Sequence, residues 1–386
     1  RVTSSERAES ISLSAPVLPV QPPVEKLPGA LENAAFVRNA EYYSRDAFHP
    51  DRIVRVGEPR VMRGHRYVVL EFCPFEYNPA TGELVPYVRM AIDLEFVGAD
   101  LAETRRVVDR YSTGPVVEVA EHTFLNYGAF RTRYDIPLPI GYLIVTHDDF
   151  YSQILPLAEW REQKGYHTPV VRTSDTPGGN TKENIKSYIE DAYDNWAVPP
   201  TFVLLVGDTP YIDNWTGTQT NQPPTDLYYV TMDGSTDWDP DIWIGRFSCS
   251  STSQVTNLVD KTVDYERFNL SSGTGWIRDA VFMAGDDNYS ITEGTHNYVV
   301  SNYFQPAGYT SEKLYEVTYG ATTNDVRNAF NDGRSWGIFS GHGATTYWAD
   351  GPAFYASDVN GLTNSDMTPL IHSYSCVTGE YDTACF

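Results

Sequence analysis

The sequence predicts an α/β protein: a doubly wound, mostly parallel sheet with helices on both faces, preceded by a small all-β domain. Three observations carry this. From Ile140 onward strand-like apolar runs alternate with helical ones, an order that implies right-handed crossovers and a parallel sheet. Upstream, from about Tyr42 to Val97, β-rich runs recur with turn residues between them. The last two apolar runs are short and bounded by Gly and Pro, the pattern of buried parallel strands.

Length and charge narrow the function classes. At 386 residues the chain is long for one domain, and two is the natural expectation. A net charge of -23 argues against nucleic acid as a partner, because phosphate binding needs clustered Lys and Arg. It suits a soluble exported protein, and one that binds divalent cations. No apolar run reaches the roughly 18 residues a membrane span needs. The chain opens on Arg1 and shows no leader, which is expected to have been removed or left out of this sequence. Cys73, Cys249, Cys376 and Cys385 form no CxxC pair, so neither a zinc ribbon nor a thioredoxin-type site is indicated.

Residues 1–34 are rich in Pro, Ser and Val and read as an extended arm with little structure of its own. Residues 35–137 read as the all-β domain with its linker. Runs 67–73 and 87–96 are β-rich, and the turn signal Asn78-Pro79-Ala80-Thr81-Gly82 between them predicts a hairpin. Residues 100–137 read as a connecting segment, with Arg105, Arg106, Arg110, Arg131 and Arg133, that closes at Pro137 and Pro139.

Residues 138–386 hold the α/β region. Strand 142–146 precedes a helix with Ile154, Leu157 and Ala158 on one face, stopped at Gly165. Strand 168–172 follows. Thr181 caps a helix in which Ile185, Tyr188, Ile189, Ala192 and Trp196 keep helical spacing. Strand 202–206 ends in Gly207-Asp208, the short run 242–244 in Gly245-Arg246, and strand 280–284 in Gly285-Asp286-Asp287. Helices lie around Val255, Leu258 and Val259 and around Val326, Ala329 and Phe330, the latter closing at Gly333. No internal repeat is visible. The final strands are 336–340, which empties into Gly341-His342-Gly343, and 369–375, which empties into Cys376. A helix should follow and cover the sheet, yet only ten residues remain (386 − 376), so the region reads as C-terminally incomplete.

Ligands of such sheets sit outside the carboxyl ends of the strands. Two neighbouring strand ends would bring the His342 imidazole and the Cys376 thiol into one crevice, the minimum for a thiolate nucleophile with a general base. Glycines on either side of His342 let backbone approach a ligand and donate N–H groups to an oxyanion. A helix starting just after Cys376 would lower the thiol pKa. Against this, a lone Cys is usually a buried structural residue. Asp286 also follows a strand end and could orient the imidazole, with Asp287 an equal rival. Around a Gly turn, Asp237, Asp239 and Asp241 alternate, which could converge oxygens on Ca²⁺ or simply form a solvated acidic loop. Gly333-Arg334-Ser335-Trp336-Gly337 matches GxSxG, but a helix precedes it and a strand follows, the reverse of a serine-hydrolase elbow. His147, His296 and His372 stand singly and build no zinc motif.

An apolar strand into Ser-Gly-His342-Gly, then a second into Ser-Cys376-Val-Thr-Gly, resembles the caspase-like clan of cysteine peptidases, and within it the gingipain family. The runs Val-Leu-Leu-Val-Gly-Asp208 and Ile244-Gly-Arg246-Phe-Ser-Cys249 and the stretch Leu362-Thr-Asn364 are similar to that family, over about 140–386. The all-β region resembles its propeptide. The resemblance implies Cys376 as nucleophile, His342 as base, and Gly343 and Cys376 N–H groups as the oxyanion hole. It places the acid that steadies the histidine at Asp286 and the acid that holds a basic P1 side chain near Glu293. It puts structural calcium on Asp237, Asp239 and Asp241 with the carbonyl of Trp243. It further implies a secreted, latent precursor acting on protein or peptide substrates, its prodomain an intramolecular inhibitor until cut near Arg131 or Arg133. Two other readings are a calcium-dependent binding module on the same fold and a serine esterase through Ser335.

Overall fold

From residue 138 the alternating pattern resolves into two parallel sheets rather than one continuous sheet. The computed structural model describes residues 2–24, 33–130, 138–218 and 222–386, and its chain divides into units Arg1–Arg110 and Tyr111–Phe386. In the larger unit the first sheet contains β1 (Ile140–Thr146), β2 (Val170–Arg172), β3 (Pro200–Val206) and β4 (Trp243–Phe247), in the order β2-β1-β3-β4. The short strand Tyr166–His167 adds to β1 beside β2. The second sheet contains β5 (Asp279–Ala284), β6 (Thr310–Tyr315), β7 (Trp336–Ser340) and β8 (Leu370–Tyr374), in the order β6-β5-β7-β8. Every pair within both sheets is parallel. Numbered within its own sheet, each has the order 2-1-3-4, so the topology repeats where the sequence does not.

Helices cover both faces of each sheet, as period-3.6 apolar spacing demands. On the first, α1 (Tyr151–Gln163) and α3 (Thr252–Arg267) share one face, where Ile154, Leu157, Val255 and Val259 pack on Ile144, Leu204 and Val206. Helix α2 (Lys182–Asn195) buries Ile185, Ile189 and Ala192, and its cap is Thr181, whose hydroxyl accepts from the Asn184 N–H at 3.2 Å. On the second sheet, α4 (Tyr289–Val299) and α5 (Thr323–Asn331) lie on opposite faces. Val326, Ala329 and Phe330 of α5 pack on Val281, Met283 and Phe339, while Phe282, Tyr315 and Ile338 face the other way. Strand β8 is not the buried strand its apolar run suggests. It is a sheet edge, with Leu370 55 % and Tyr374 64 % exposed.

The smaller unit is mainly antiparallel. Its long strand Glu83–Ile92 pairs with Phe75–Asn78 across the predicted turn, where the Asn78 side-chain Oδ1 accepts from the Ala80 N–H and Gly82 adopts φ +75°. The hairpin partner is thus Phe75–Asn78; the run 67–73 is divided between two short strands, His65–Tyr67 and Leu70–Phe72. The N-terminal arm is not structureless, because Val2–Arg7 pairs with Glu83–Ile92. The connecting segment is largely helical, over Leu101–Tyr111 and Gly114–Thr123. In the larger unit, Tyr111 stacks on Tyr193 at 4.3 Å between ring centroids and Thr113 meets Thr201. Arg131 and Arg133 fall outside the described residues.

A half-buried ion cluster ties α1 to α3. Trp160 Nε1 (2.8 Å), Arg161 Nη1 (2.6 Å) and Lys164 Nζ (2.8 Å) all donate to the Glu266 carboxylate. Burial pushes that carboxyl up, but the bonds from Arg161, Lys164 and Trp160 outweigh it and hold it at about 2. A depressed carboxyl contributes stability that is present above its ordinary value of 4.5 and lost as pH falls toward 2. Glu266→Gln is expected to cost on the order of 2 kcal/mol at neutral pH and to flatten the acid limb of stability, read by urea unfolding at stepped pH.

Candidate active site

The second sheet builds the site from its main chain outward. Strands β7 and β8 run parallel with Ser340 opposite Tyr374 as their last registered pair. His342 and Cys376 each lie two residues beyond that pair, so they occupy matching positions on adjacent strand ends. The Gly341 N–H donates to the Tyr374 carbonyl at 3.2 Å and extends the register one step further. Gly343 abuts the second loop so closely that a Cβ there would overlap Ser375 Oγ and the Cys376 carbonyl. Only glycine lets the two loops meet.

Cys376 is exposed and makes no disulfide. Its backbone N–H donates to no acceptor among the described residues. The next residue, Val377, sits at φ 52°, a region that a β-branched side chain rarely adopts. Such strain collects at functional turns. The expected helix after Cys376 is absent: residues 375–384 form turns and bends, so no helix N-terminus faces the sulfur.

The His342 ring pairs through Nε2 with Asp287 Oδ2 at 2.9 Å. The partner is therefore Asp287, not Asp286. Both residues lie in the bend and turn that follow β5. Asp286 acts instead on Asp350, whose carboxyl burial pushes up and Asp286 pushes further. Asp350 accepts the His342 backbone N–H. Nothing in the sequence pattern pointed to Asp350; the small residues Gly285 and Gly341 were its trace.

A buried polar group lies on α4, a helix the apolar pattern did not reveal. Glu293 is 7 % exposed and accepts from the Thr318 hydroxyl, while its Oε1 is buried without a hydrogen-bond partner among the described residues. One turn on, His296 Nε2 meets Ser340 Oγ at 2.8 Å. Its ring lies against Phe282 and Tyr315. Ser335 is buried, and its hydroxyl donates to the Asp279 carbonyl at 3.1 Å. That removes it as a nucleophile.

The acidic turn brings Asp233, Asp237 and Asp241 together, each offering an oxygen within 4.8 Å of the others. Asp233 was missed, and Asp239, whose backbone N–H donates to Asp237 Oδ1 at 2.9 Å, is not one of the three. Trp243 opens β4, with its ring stacked on Phe202 at 5.3 Å. The three oxygens suit a hard cation. Asp233 is pushed up by burial and by Asp237, Asp194 and Asp239, the repulsion a cation would relieve.

A thiol and an imidazole at adjacent parallel strand ends, with a carboxylate behind the imidazole, define a caspase-like cysteine-peptidase site. The chain belongs to Peptidase family C25, whose profile matches residues 135–386, and the family's propeptide profile matches 20–133. It is 31 % identical over 374 residues to Lys-gingipain of Porphyromonas gingivalis (95 % of this chain, 21 % of that protein). It is 28 % identical over 353 residues to gingipain R2 of the same species (89 % and 47 %). The chain thus spans between a fifth and a half of these relatives. Among solved structures, it is similar to the Arg-specific cysteine proteinase gingipain R, with a TM-score of 0.55 and 28 % identity over 65 % of this chain and 58 % of that one. A complex of Porphyromonas gingivalis gingipain pro- and mature domains matches with a TM-score of 0.55 and 28 % identity, over 62 % and 56 %.

Burial holds the His296 imidazole down, at about 4. Its unfolded value is 6.5, so the unfolded chain binds the extra proton first as pH falls. Stability from this group is intact above pH 6.5 and declines toward pH 4. His296 is expected to stay neutral by NMR titration at pH 6. In His296→Gln the loss of stability between these pH values should shrink by about 1.4 kcal/mol per pH unit.

Proposed function

We propose that this chain is the latent precursor of a cysteine endopeptidase that cleaves after basic residues. The observation that carries the reading is the pairing of His342 and Cys376 at matched positions beyond the Ser340–Tyr374 register. With Asp287 on Nε2, the ring's other nitrogen is the one to exchange a proton with sulfur. His342 takes the proton, and the thiolate attacks the scissile carbonyl. The oxyanion is received by the N–H groups of Gly343 and Cys376. The imidazolium, steadied by Asp287, then protonates the leaving amine, and the same imidazole activates water to release the acyl group.

Glu293 is the acid we assign to a basic P1 side chain. Its buried Oε1 supports this, since a guanidinium or ammonium would satisfy it. The relatives' names point the same way, one Lys-gingipain and one Arg-specific. The N-terminal region, matched by the family's propeptide, would restrain the crevice until the connecting segment is cut. Secretion fits the acidic balance, and among the described residues no helix is long and apolar enough to cross a membrane. Calcium would be held by Asp233, Asp237 and Asp241, where it would fix the loop leading into β4.

Fluorogenic peptides with Arg or Lys at P1, offered after the connecting segment has been cut, test the reading. Cys376→Ala should abolish hydrolysis, and Asp287→Asn should lower kcat about 10²-fold while Asp286→Asn does so far less. Hydrolysis surviving in Cys376→Ala would sink the proposal. For calcium, a thermal-shift titration should raise Tm with Ca²⁺, and Asp241→Asn should abolish that rise.

A further inference from the structure

Residues 348–351 cross the carboxyl ends of three strands, and two of them hold the His342 peptide. The Ala349 N–H donates to the His342 carbonyl at 2.8 Å, and the His342 N–H donates to Asp350 Oδ1. Both main-chain groups of the histidine are therefore held by two consecutive residues of one segment. The Asp350 carboxylate also fills the space beside two other strand ends: a Cβ at Gly285, just past β5, would overlap it, as would one at Gly341, just past β7. Gly351 is tethered in turn, because the Glu316 carboxylate, just past β6, occupies the place of its missing Cβ. Asp350 Oδ2 is buried with no hydrogen-bond partner among the described residues. Leaving such an atom unmatched is costly, which argues that the carboxylate is kept for its position.

We propose that Asp350 is a positioning residue for the peptidase reaction: its carboxylate, wedged between the ends of β5 and β7, fixes the His342 peptide and so aims the imidazole at Cys376. This rests on the peptidase reading above. The ring is held from the other side by Asp287, so one carboxylate sets the backbone and another the side chain. With Asp350 removed, Asp287 still binds the ring, but the peptide under it can rotate. An error of about 1 Å at a proton-transferring group costs about 10²-fold in rate.

The test compares Asp350→Ala, Asp350→Asn, Gly285→Ala and the double variant Asp350→Ala/Gly285→Ala. Asp350→Ala should lower kcat about 10²-fold with KM little changed. Asp350→Asn, which keeps an acceptor oxygen for the His342 N–H, should recover most of that loss. Gly285→Ala should lower kcat by displacing the carboxylate, and the double variant should be no worse than Asp350→Ala alone, since the displaced group is gone. Turnover of Asp350→Ala within about twofold of the parent, a loss confined to KM, or an Asn variant no better than Ala would overturn the assignment. Tm and circular dichroism identify a variant that fails to fold, and then the Asn and Gly285→Ala results decide. Exchange of the His342 amide, read by NMR, is independent of activity: it should be protected in the parent and fast in Asp350→Ala. If the parent, assayed after its connecting segment has been cut, shows no Cys376-dependent hydrolysis, the peptidase reading fails, and the amide exchange alone decides whether Asp350 holds the histidine.

Discussion

The parallel hydrogen-bonded register between β7 and β8 sets the whole site. It is locked at both ends: the Leu370 N–H donates to the Ser335 carbonyl at 2.9 Å, and the Gly341 N–H to the Tyr374 carbonyl at 3.2 Å. Strand β5 fixes the opposite edge of β7, through Ser335 N–H to Asp279 at 2.8 Å and Gly285 N–H to Ser340 at 3.1 Å. A slip of one residue would turn every side chain to the other face. The relative placement of the His342 and Cys376 backbones is thus a property of main-chain pairing.

Around that frame the charges are distributed with a division of labour. Asp287 meets the ring, Asp350 the peptide and Glu316 the segment carrying Asp350. Glu293 lies deeper, on the α4 face, beside the neutral His296.

Much of this was legible beforehand. Strand ends in Gly-His-Gly and Ser-Cys announced the site, because few structural needs place glycine on both sides of a histidine. Helices α1, α2, α3 and α5 were readable from their apolar spacing. What escaped has physical causes. Helix α4 carries Gly294 and buries Glu293 and His296, so its inward face is polar and gives no apolar stripe. Strand β6 reads Thr-Ser-Glu-Lys-Leu-Tyr and is apolar only at its end. The choice between Asp286 and Asp287 depends on the turn that follows the strand, which adjacent identical residues cannot disclose. In the metal loop, period-two spacing favoured Asp239, but the turn at Gly234 (φ +103°) brings Asp233 back instead.

The repeated order of the two sheets has its own consequence. In the first sheet the last registered pair of β3 and β4 is Val206 opposite Phe247, so Asp208 and Cys249 stand where His342 and Cys376 stand in the second. Even the following main-chain bond recurs, Gly207 N–H to Phe247 at 3.0 Å. Yet Cys249 is sealed from solvent, and burial together with Asp208 pushes its thiol up to about 11. The molecule carries its own internal standard: two sulfurs on equivalent scaffolds, one silent and one presented to solvent. Their difference in reactivity isolates what surroundings contribute once backbone placement is held constant.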